Sequence, residues 1–150
     1  MSDSEWERMG DPYRLERFVA AQDRSGTYHR AVAELRAGRK LSHWMWFVFP
    51  QLAGLGSSPM AQEFAIGSLA EARAYLAHPV LGLRLAECAR ALNAAADGVS
   101  ATEIFGPVDA MKLRSSMTLF AAAAPEEQPF TDVLARYFGG QPDQATLERL

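Results

Sequence analysis

The sequence has almost no cysteine, no long apolar run and no excess of positive charge, and each shortage excludes a class of protein. Cys88 is the only cysteine in 150 residues, which excludes an intramolecular disulfide and a cysteine metal cluster. The longest strictly apolar run, 44–50, is too short to span a bilayer. A net charge of −3 argues against nucleic-acid binding through bulk electrostatics.

Functional motifs are also missing. The chain has no Walker A, dinucleotide-binding, zinc-protease or serine-hydrolase signature, and GLGSS at 54–58 lacks the lysine that follows in a phosphate-binding loop. The three histidines lack metal-site spacing. The acidic N-terminus does not resemble a signal peptide, so we expect a cytoplasmic protein. We predict no metal, no cofactor and no membrane association, while enzymatic activity stays open.

What is present is helical periodicity in an ordinary globular composition, with 49% hydrophobic residues. Apolar residues recur at i, i+3 and i+4 along the chain, and no hairpin signal interrupts them. Helix starts are indicated at Asp11-Pro12, Ser68, Ser100, Pro107 and Asp143, and helix ends at Gly38, His78-Pro79, Pro125 and Gly139. We predict an all-α, single-domain orthogonal bundle of about seven helices over 11–150, preceded by a flexible tail at 1–10.

The segment GRKLSHWMWFVFPQ, 38–51, is the most aromatic part of the chain. Periodicity does not separate strand from helix here, although the neighbouring helices favour helix. Either structure buries the aromatic residues. The polar residues at its edge have two interpretations. His43 is a general base or a histidine held by backbone groups, and Gln51 is a ligand contact or a buried amide.

A second unusual segment is IFGPVDAMKLRSSMTLF, 104–120. Ideal helical geometry places Asp109, Lys112 and Ser116 within about 60° of one another. Arg114 and Thr118 form a second polar stripe, so polar residues interrupt this apolar helix twice. Asp109 and Lys112 form either an internal salt bridge that fixes helix packing or part of a cleft in which Lys112 or Arg114 holds an anion.

Four blocks of the chain resemble a bacterial family of unknown function, DUF1810. They are DPYRLERFVAAQ, GRKLSHWMWFVFPQLAGLG, AYLAHPVLGLRL and EIFGPVDAMKLRSSMTLF. The resemblance implies a single all-helical domain from residue 11 to 150 and assigns no activity or catalytic residue. The name calpastatin, sometimes applied to this family, belongs to a disordered protease inhibitor and does not fit this periodic chain.

We hypothesise a binding site, with or without turnover, for a small anionic or nucleotide-like ligand between 38–51 and 107–120. The catalytic candidates are His43 and Asp109, and the ligand-binding candidates are Lys40, Trp46, Gln51, Lys112 and Arg114. The alternative is a non-catalytic protein-interaction domain in which both segments are structural core. An open cleft lined by His43 and Lys112 favours binding, and a closed salt bridge favours the alternative. The sequence predicts neither the substrate nor the oligomeric state.

Overall fold

A computed structural model describes residues 10–150, and their regular structure is helical. The predicted tail, apart from Gly10, lies outside the described residues. The helices are α1 (Glu16–Asp23), a 3-10 turn (Arg24–Gly26), α2 (Thr27–Arg36), α3 (Met45–Val48), α4 (Pro59–Glu63), α5 (Leu69–Ala77), α6 (Leu81–Asn93), α7 (Ala101–Ala123), α8 (Gln128–Phe138) and α9 (Gln144–Arg149). Over 10–150, β pairing is limited to one isolated bridge between Leu52 and Ile66. The all-α prediction is confirmed.

Short side chains begin several helices as their spacing predicted. Ser68 Oγ accepts from the Glu71 amide at 3.1 Å, and Ser100 Oγ accepts from the Glu103 amide at 3.0 Å. Asp143 Oδ2 accepts from the amide of Thr146 at 3.1 Å and caps α9. These contacts satisfy amides that would otherwise lack a partner at a helix N-terminus.

Two local predictions differ from the structure. Asp11 accepts from the amides of Leu15 and Glu16 at 2.7 and 3.0 Å, but the regular helix begins only at Glu16 because Arg14 has a φ of 54°. In the segment 38–51, the helix favoured by the pattern is a single turn, Met45–Val48. Tertiary contacts, described below, hold the chain before that turn in a non-helical conformation.

Helix α7 contains the break predicted at Gly106-Pro107. Gly106 has a φ of 78° and a ψ of 165°, which is outside helical space. At this break the carbonyl of Ile104 accepts a hydrogen bond from the Lys40 amide at 2.7 Å. The break therefore brings the start of segment 38–51 against the beginning of the 107–123 part of α7.

The core is built around α7, which packs against α5, α8 and α9, while α6 packs against α2, α5 and α8. Trp44, Phe49 and Phe120 are buried almost completely, as expected for aromatic side chains that supply core contact area. Cys88 is also buried, and burial together with the nearby Glu87 charge raises its thiol pKa to about 12. Within residues 10–150, no helix combines the length and the apolarity needed to cross a bilayer.

Candidate functional site

Glu34, on the buried side of α2, organises the segment that carries the predicted site. The residue is 7% exposed, and its carboxylate accepts four hydrogen bonds. The donors are the Leu41 amide at 2.7 Å, the Ser42 amide at 3.0 Å, the Ser42 hydroxyl at 2.5 Å and Trp44 Nε1 at 2.9 Å. These hydrogen bonds hold residues 41–44 against the end of α2 in a non-helical conformation. The helix α3 therefore begins only at Met45.

These hydrogen bonds decide the charge of Glu34. Burial alone raises the pKa of a carboxyl group, since it penalises the charged form. The Ser42 hydroxyl, the amides of Leu41 and Ser42, and Trp44 Nε1 all stabilise the carboxylate and together outweigh burial. They lower the pKa of Glu34 from 4.5 to about 2. Glu34 is therefore ionised at neutral pH and is a structural acceptor.

Lys40 and Asp109 form a closed ion pair between the loop and α7. Lys40 Nζ lies 2.9 Å from Asp109 Oδ2 and donates to the Ser42 carbonyl at 2.7 Å. The ammonium group also lies 5.1 Å from the ring centroid of Trp44. Only 8% of the Lys40 side chain is exposed. The nearest cation to the Asp109 carboxylate is therefore Lys40, whereas the helical spacing had paired Asp109 with Lys112.

Lys112 lies near the other oxygen of the Asp109 carboxylate and is more exposed than Lys40. Its Nζ is 3.8 Å from Asp109 Oδ1 and 5.5 Å from the ring centroid of Trp46, and 23% of its side chain is exposed. We call Lys40, Asp109, Lys112 and Trp46 the lysine–tryptophan cluster. Its two ammonium groups and one carboxylate sum to a charge of +1. The cluster therefore has an excess positive charge beside a partly exposed indole.

The other predicted site residues are distributed around this cluster. His43 is exposed on the loop, whereas the Asp109 carboxylate contacts the ammonium groups of Lys40 and Lys112. The sequence left open whether His43 and Asp109 meet, and the ion pairs of Asp109 within residues 10–150 are with Lys40 and Lys112. Gln51 is half-buried, and its carbonyl accepts from the Ile66 amide at 2.9 Å.

Arg114 belongs to the second polar stripe of α7, which holds the C-terminal segment. Its Nε donates to the Gln141 carbonyl at 2.9 Å, and its guanidinium lies 5.9 Å from the Phe138 ring centroid. Thr118 Oγ1 accepts from the Asp143 amide at 2.8 Å. The two polar interruptions of α7 therefore have different partners, which are Lys40 and Trp46 for the first and the chain at 138–143 for the second.

Exposed apolar side chains flank the lysine–tryptophan cluster. Leu41 follows Lys40 and is 71% exposed, Val108 precedes Asp109 and is 66% exposed, and Met111 precedes Lys112 and is 71% exposed. Each is a chain neighbour of a charged residue of the cluster, so apolar side chains are exposed beside those charges, and exposed apolar surface is a feature of binding sites. Four grooves defined by described residues are lined by other elements, chiefly α5, α6 and the ends of α7 and α8.

The family model for proteins of unknown function named DUF1810 matches residues 12–150. The chain belongs to the DUF1810 family. The chain is similar to the conserved hypothetical protein Rv1873 from Mycobacterium tuberculosis. Comparison with the crystal structure of that protein gives a TM-score of 0.89, and the two sequences are 56% identical. The match covers 93% of this chain and 98% of that one. No curated protein matches the chain.

Sequence reasoning missed Glu34, the residue that shapes the loop of this DUF1810 protein. A signal was present, because Glu34 follows the apolar Ala31 by three positions and so lies about 60° from it on the helix. A carboxylate at the edge of a buried stripe needs donors. The hydroxyl of Ser42 and the indole N–H of Trp44 lie just past the helix-ending Gly38.

Proposed function

We propose that this DUF1810 protein binds a small ligand that carries an anionic group beside a planar ring, as a nucleotide does. The site is the exposed side of the lysine–tryptophan cluster. The observation that supports it is the position of Lys112, whose partly exposed ammonium group lies 5.5 Å from the ring centroid of Trp46. A cation above an indole is suited to an anion whose attached ring stacks on the same aromatic side chain.

Lys40 and Lys112 differ in how closely each pairs with Asp109, so we expect different roles for them in binding. Lys40 is buried and held by Asp109 at 2.9 Å, so its ammonium group is already compensated. Lys112 is 3.8 Å from the same carboxylate and is more exposed. An incoming phosphate or carboxylate gains most from the second ammonium group, because that group has the weaker internal partner. Leu41, Val108 and Met111 supply apolar surface around the anion.

Turnover at this site would use His43, because Asp109 is already held by two ammonium groups. The exposed imidazole lies on the loop that precedes α3, the helix that carries Trp46, and an exposed histidine can act as a general base on a bound ligand. His43→Ala should then abolish conversion of the ligand and leave its binding intact. Loss of binding in this variant would instead make His43 a ligand contact.

Thermal-shift measurements with AMP, inorganic phosphate and citrate test the binding proposal. AMP is expected to stabilise the wild-type protein most, since it alone combines the anion with a planar base. At about 100 times Kd a ligand adds about 2.7 kcal/mol to the free energy of unfolding. Lys112→Ala and Trp46→Leu should lose this stabilisation, while Lys112→Arg should keep most of it.

Arg30→Ala is the matched control, because Arg30 is an exposed cation on α2 whose contact is with the Ser25 carbonyl. This variant should respond to AMP as the wild type does. Quenching of the partly exposed Trp46 by AMP provides a second measurement. The proposal fails when all three probes leave wild-type stability unchanged, or when Lys112→Ala responds fully.

A second candidate is a non-catalytic protein-interaction domain in which segments 38–51 and 107–120 are structural core. The closed Lys40–Asp109 pair and the complete burial of Trp44 favour it. In that case the Lys112→Ala and His43→Ala variants should still bind the partner protein, and substitutions on another surface should abolish that binding. Native mass spectrometry of the wild type and these two variants separates the candidates, since a co-purified small molecule supports the first.

A further inference from the structure

One face of α6 is exposed to solvent along much of the helix. Leu83 is 72% exposed, which is the largest exposure among the big apolar side chains of residues 10–150. The face continues through Glu87, Arg90 and Ala94, all of them exposed. Together with Arg36 and Ala91 they line a shallow groove of about 790 Å³.

The spacing of these residues forms a regular seam. Leu83, Glu87, Arg90 and Ala94 follow one another at intervals of four, three and four, the spacing of residues that meet a partner helix. At 100° per residue they fall within about 60° of one another. The seam therefore has a large apolar side chain at one end, a small one at the other and opposite charges between them.

An antiparallel copy of the same seam complements it. With a two-fold axis between positions 87 and 90, Leu83 meets Ala94 of the partner subunit, and Glu87 meets Arg90 of the partner subunit. Each of these contacts occurs twice, as symmetry requires for an isologous interface. The protruding leucine fills the space that the alanine leaves, and both central contacts join opposite charges.

The charges on this face are available for such contacts. Glu87 and Arg90 lie at i, i+3, yet they form no ion pair with each other, and Arg36 likewise forms none within residues 10–150. Glu87 Oε1 accepts from the Tyr28 hydroxyl at 2.6 Å, which fixes the carboxylate at the surface and leaves its second oxygen for a partner.

We propose that the protein forms an antiparallel homodimer through this face of α6. The occupant is a second copy of the chain, because the order of large, acidic, basic and small residues is complementary to its own reverse. The seam spans only twelve residues, about 17 Å of helix. Association is therefore expected at high protein concentration, since stable dimers usually bury a larger area.

Analytical ultracentrifugation up to millimolar protein tests the dimer. The weight-average mass should rise from 16.5 kDa toward twice that value with concentration. Glu87→Arg and Arg90→Glu each place like charges opposite one another twice, so each variant alone should stay monomeric. A mixture of the two variants should dimerise, because both central contacts then join opposite charges again. The double variant Glu87→Arg/Arg90→Glu should also dimerise.

Leu83→Glu should abolish association and leave the thermal unfolding temperature unchanged, because Leu83 is exposed in the monomer. The matched control is Leu41→Glu, which makes the same substitution at a leucine that is 71% exposed on another surface. It should dimerise as the wild type does. Wild-type protein that remains monomeric at millimolar concentration overturns the proposal, and so does a dimer that survives Leu83→Glu. A mixture of the charge variants that stays monomeric rejects the antiparallel register.

Discussion

Glu34 and Asp109 are two carboxylates that hold the segment 38–51 from different helices, and their surroundings differ. Glu34 is 7% exposed and accepts four hydrogen bonds, three of them from groups on that segment's backbone or hydroxyl. Asp109 is 22% exposed on its side chain and contacts two ammonium groups at unequal distances, 2.9 and 3.8 Å. The first carboxylate is saturated, whereas the second leaves one cation with a weak partner.

This difference separates a structural polar group from a candidate binding group. A buried acceptor with a complete set of donors can only lose stability when it is changed, since any loss leaves buried donors unpaired. A partly exposed cation with a distant partner can exchange that partner for a ligand at little cost to the fold. Substitutions at the two carboxylates and at Lys112 should therefore have effects of very different size.

The largest effect is expected for Glu34→Ala. Removal of the carboxylate leaves the Leu41 and Ser42 amides and Trp44 Nε1 without their acceptor, and should lower the free energy of unfolding by about 4 kcal/mol. Urea denaturation measures this value. The control is Glu63→Ala, because Glu63 is half exposed and its ion pair with Arg14 should contribute less than about 0.5 kcal/mol. A loss below about 1 kcal/mol for Glu34→Ala would contradict the assigned role.

The pH dependence of stability should show the contribution of the Glu34 carboxylate in the wild-type protein. The pKa of Glu34 is about 2 in the folded protein and 4.5 ordinarily, so its contribution is complete above pH 4.5 and is lost as the pH falls toward 2. The shift corresponds to about 3 kcal/mol of stability. Urea denaturation across this pH range should show a steeper loss for the wild type than for Glu34→Gln. Parallel curves for the two proteins would refute the low pKa.

A smaller effect is expected at the partly exposed carboxylate. Asp109→Ala leaves the buried Lys40 ammonium with the Ser42 carbonyl as its hydrogen-bond partner and should cost about 2 kcal/mol. A double-mutant cycle with Lys40→Met checks the cause, because the coupled pair should make the double variant less destabilised than the sum of the single variants. Additive losses would show that the 2.9 Å contact contributes no coupling.

The smallest effect on stability is expected for Lys112→Ala. Its ammonium group is partly exposed and 3.8 Å from Asp109, so the free energy of unfolding should change by less than about 0.5 kcal/mol. The same variant should lose stabilisation by AMP, measured by thermal shift. A destabilisation as large as that of Asp109→Ala would instead place Lys112 with the structural pair and remove the basis for the proposed site.

Local sequence signals determined most of the helical fold. Ser68, Ser100 and Asp143 begin helices because their side chains accept from amides three residues ahead, and Gly106 breaks α7 because it adopts a positive φ that other residues avoid. These interactions join residues close in the chain, so their spacing reveals them. The burial of Trp44 and Phe49 was likewise predictable from the apolar character of the segment.

The tertiary structure alone decided which polar groups meet. Glu34 accepts from Trp44 across the turn after α2, Lys40 pairs with Asp109 across 69 positions, and Arg114 contacts Gln141 beside the C-terminal helix. The helical spacing of Asp109 and Lys112 predicted that they share one face of α7. It did not predict that Lys40 and Trp46 pack against that face. The pairing of distant residues depends on how the helices pack, and that packing follows from the whole core. The sequence therefore determined the helices, and the tertiary structure decided that Lys40 is compensated while Lys112 remains available beside Trp46.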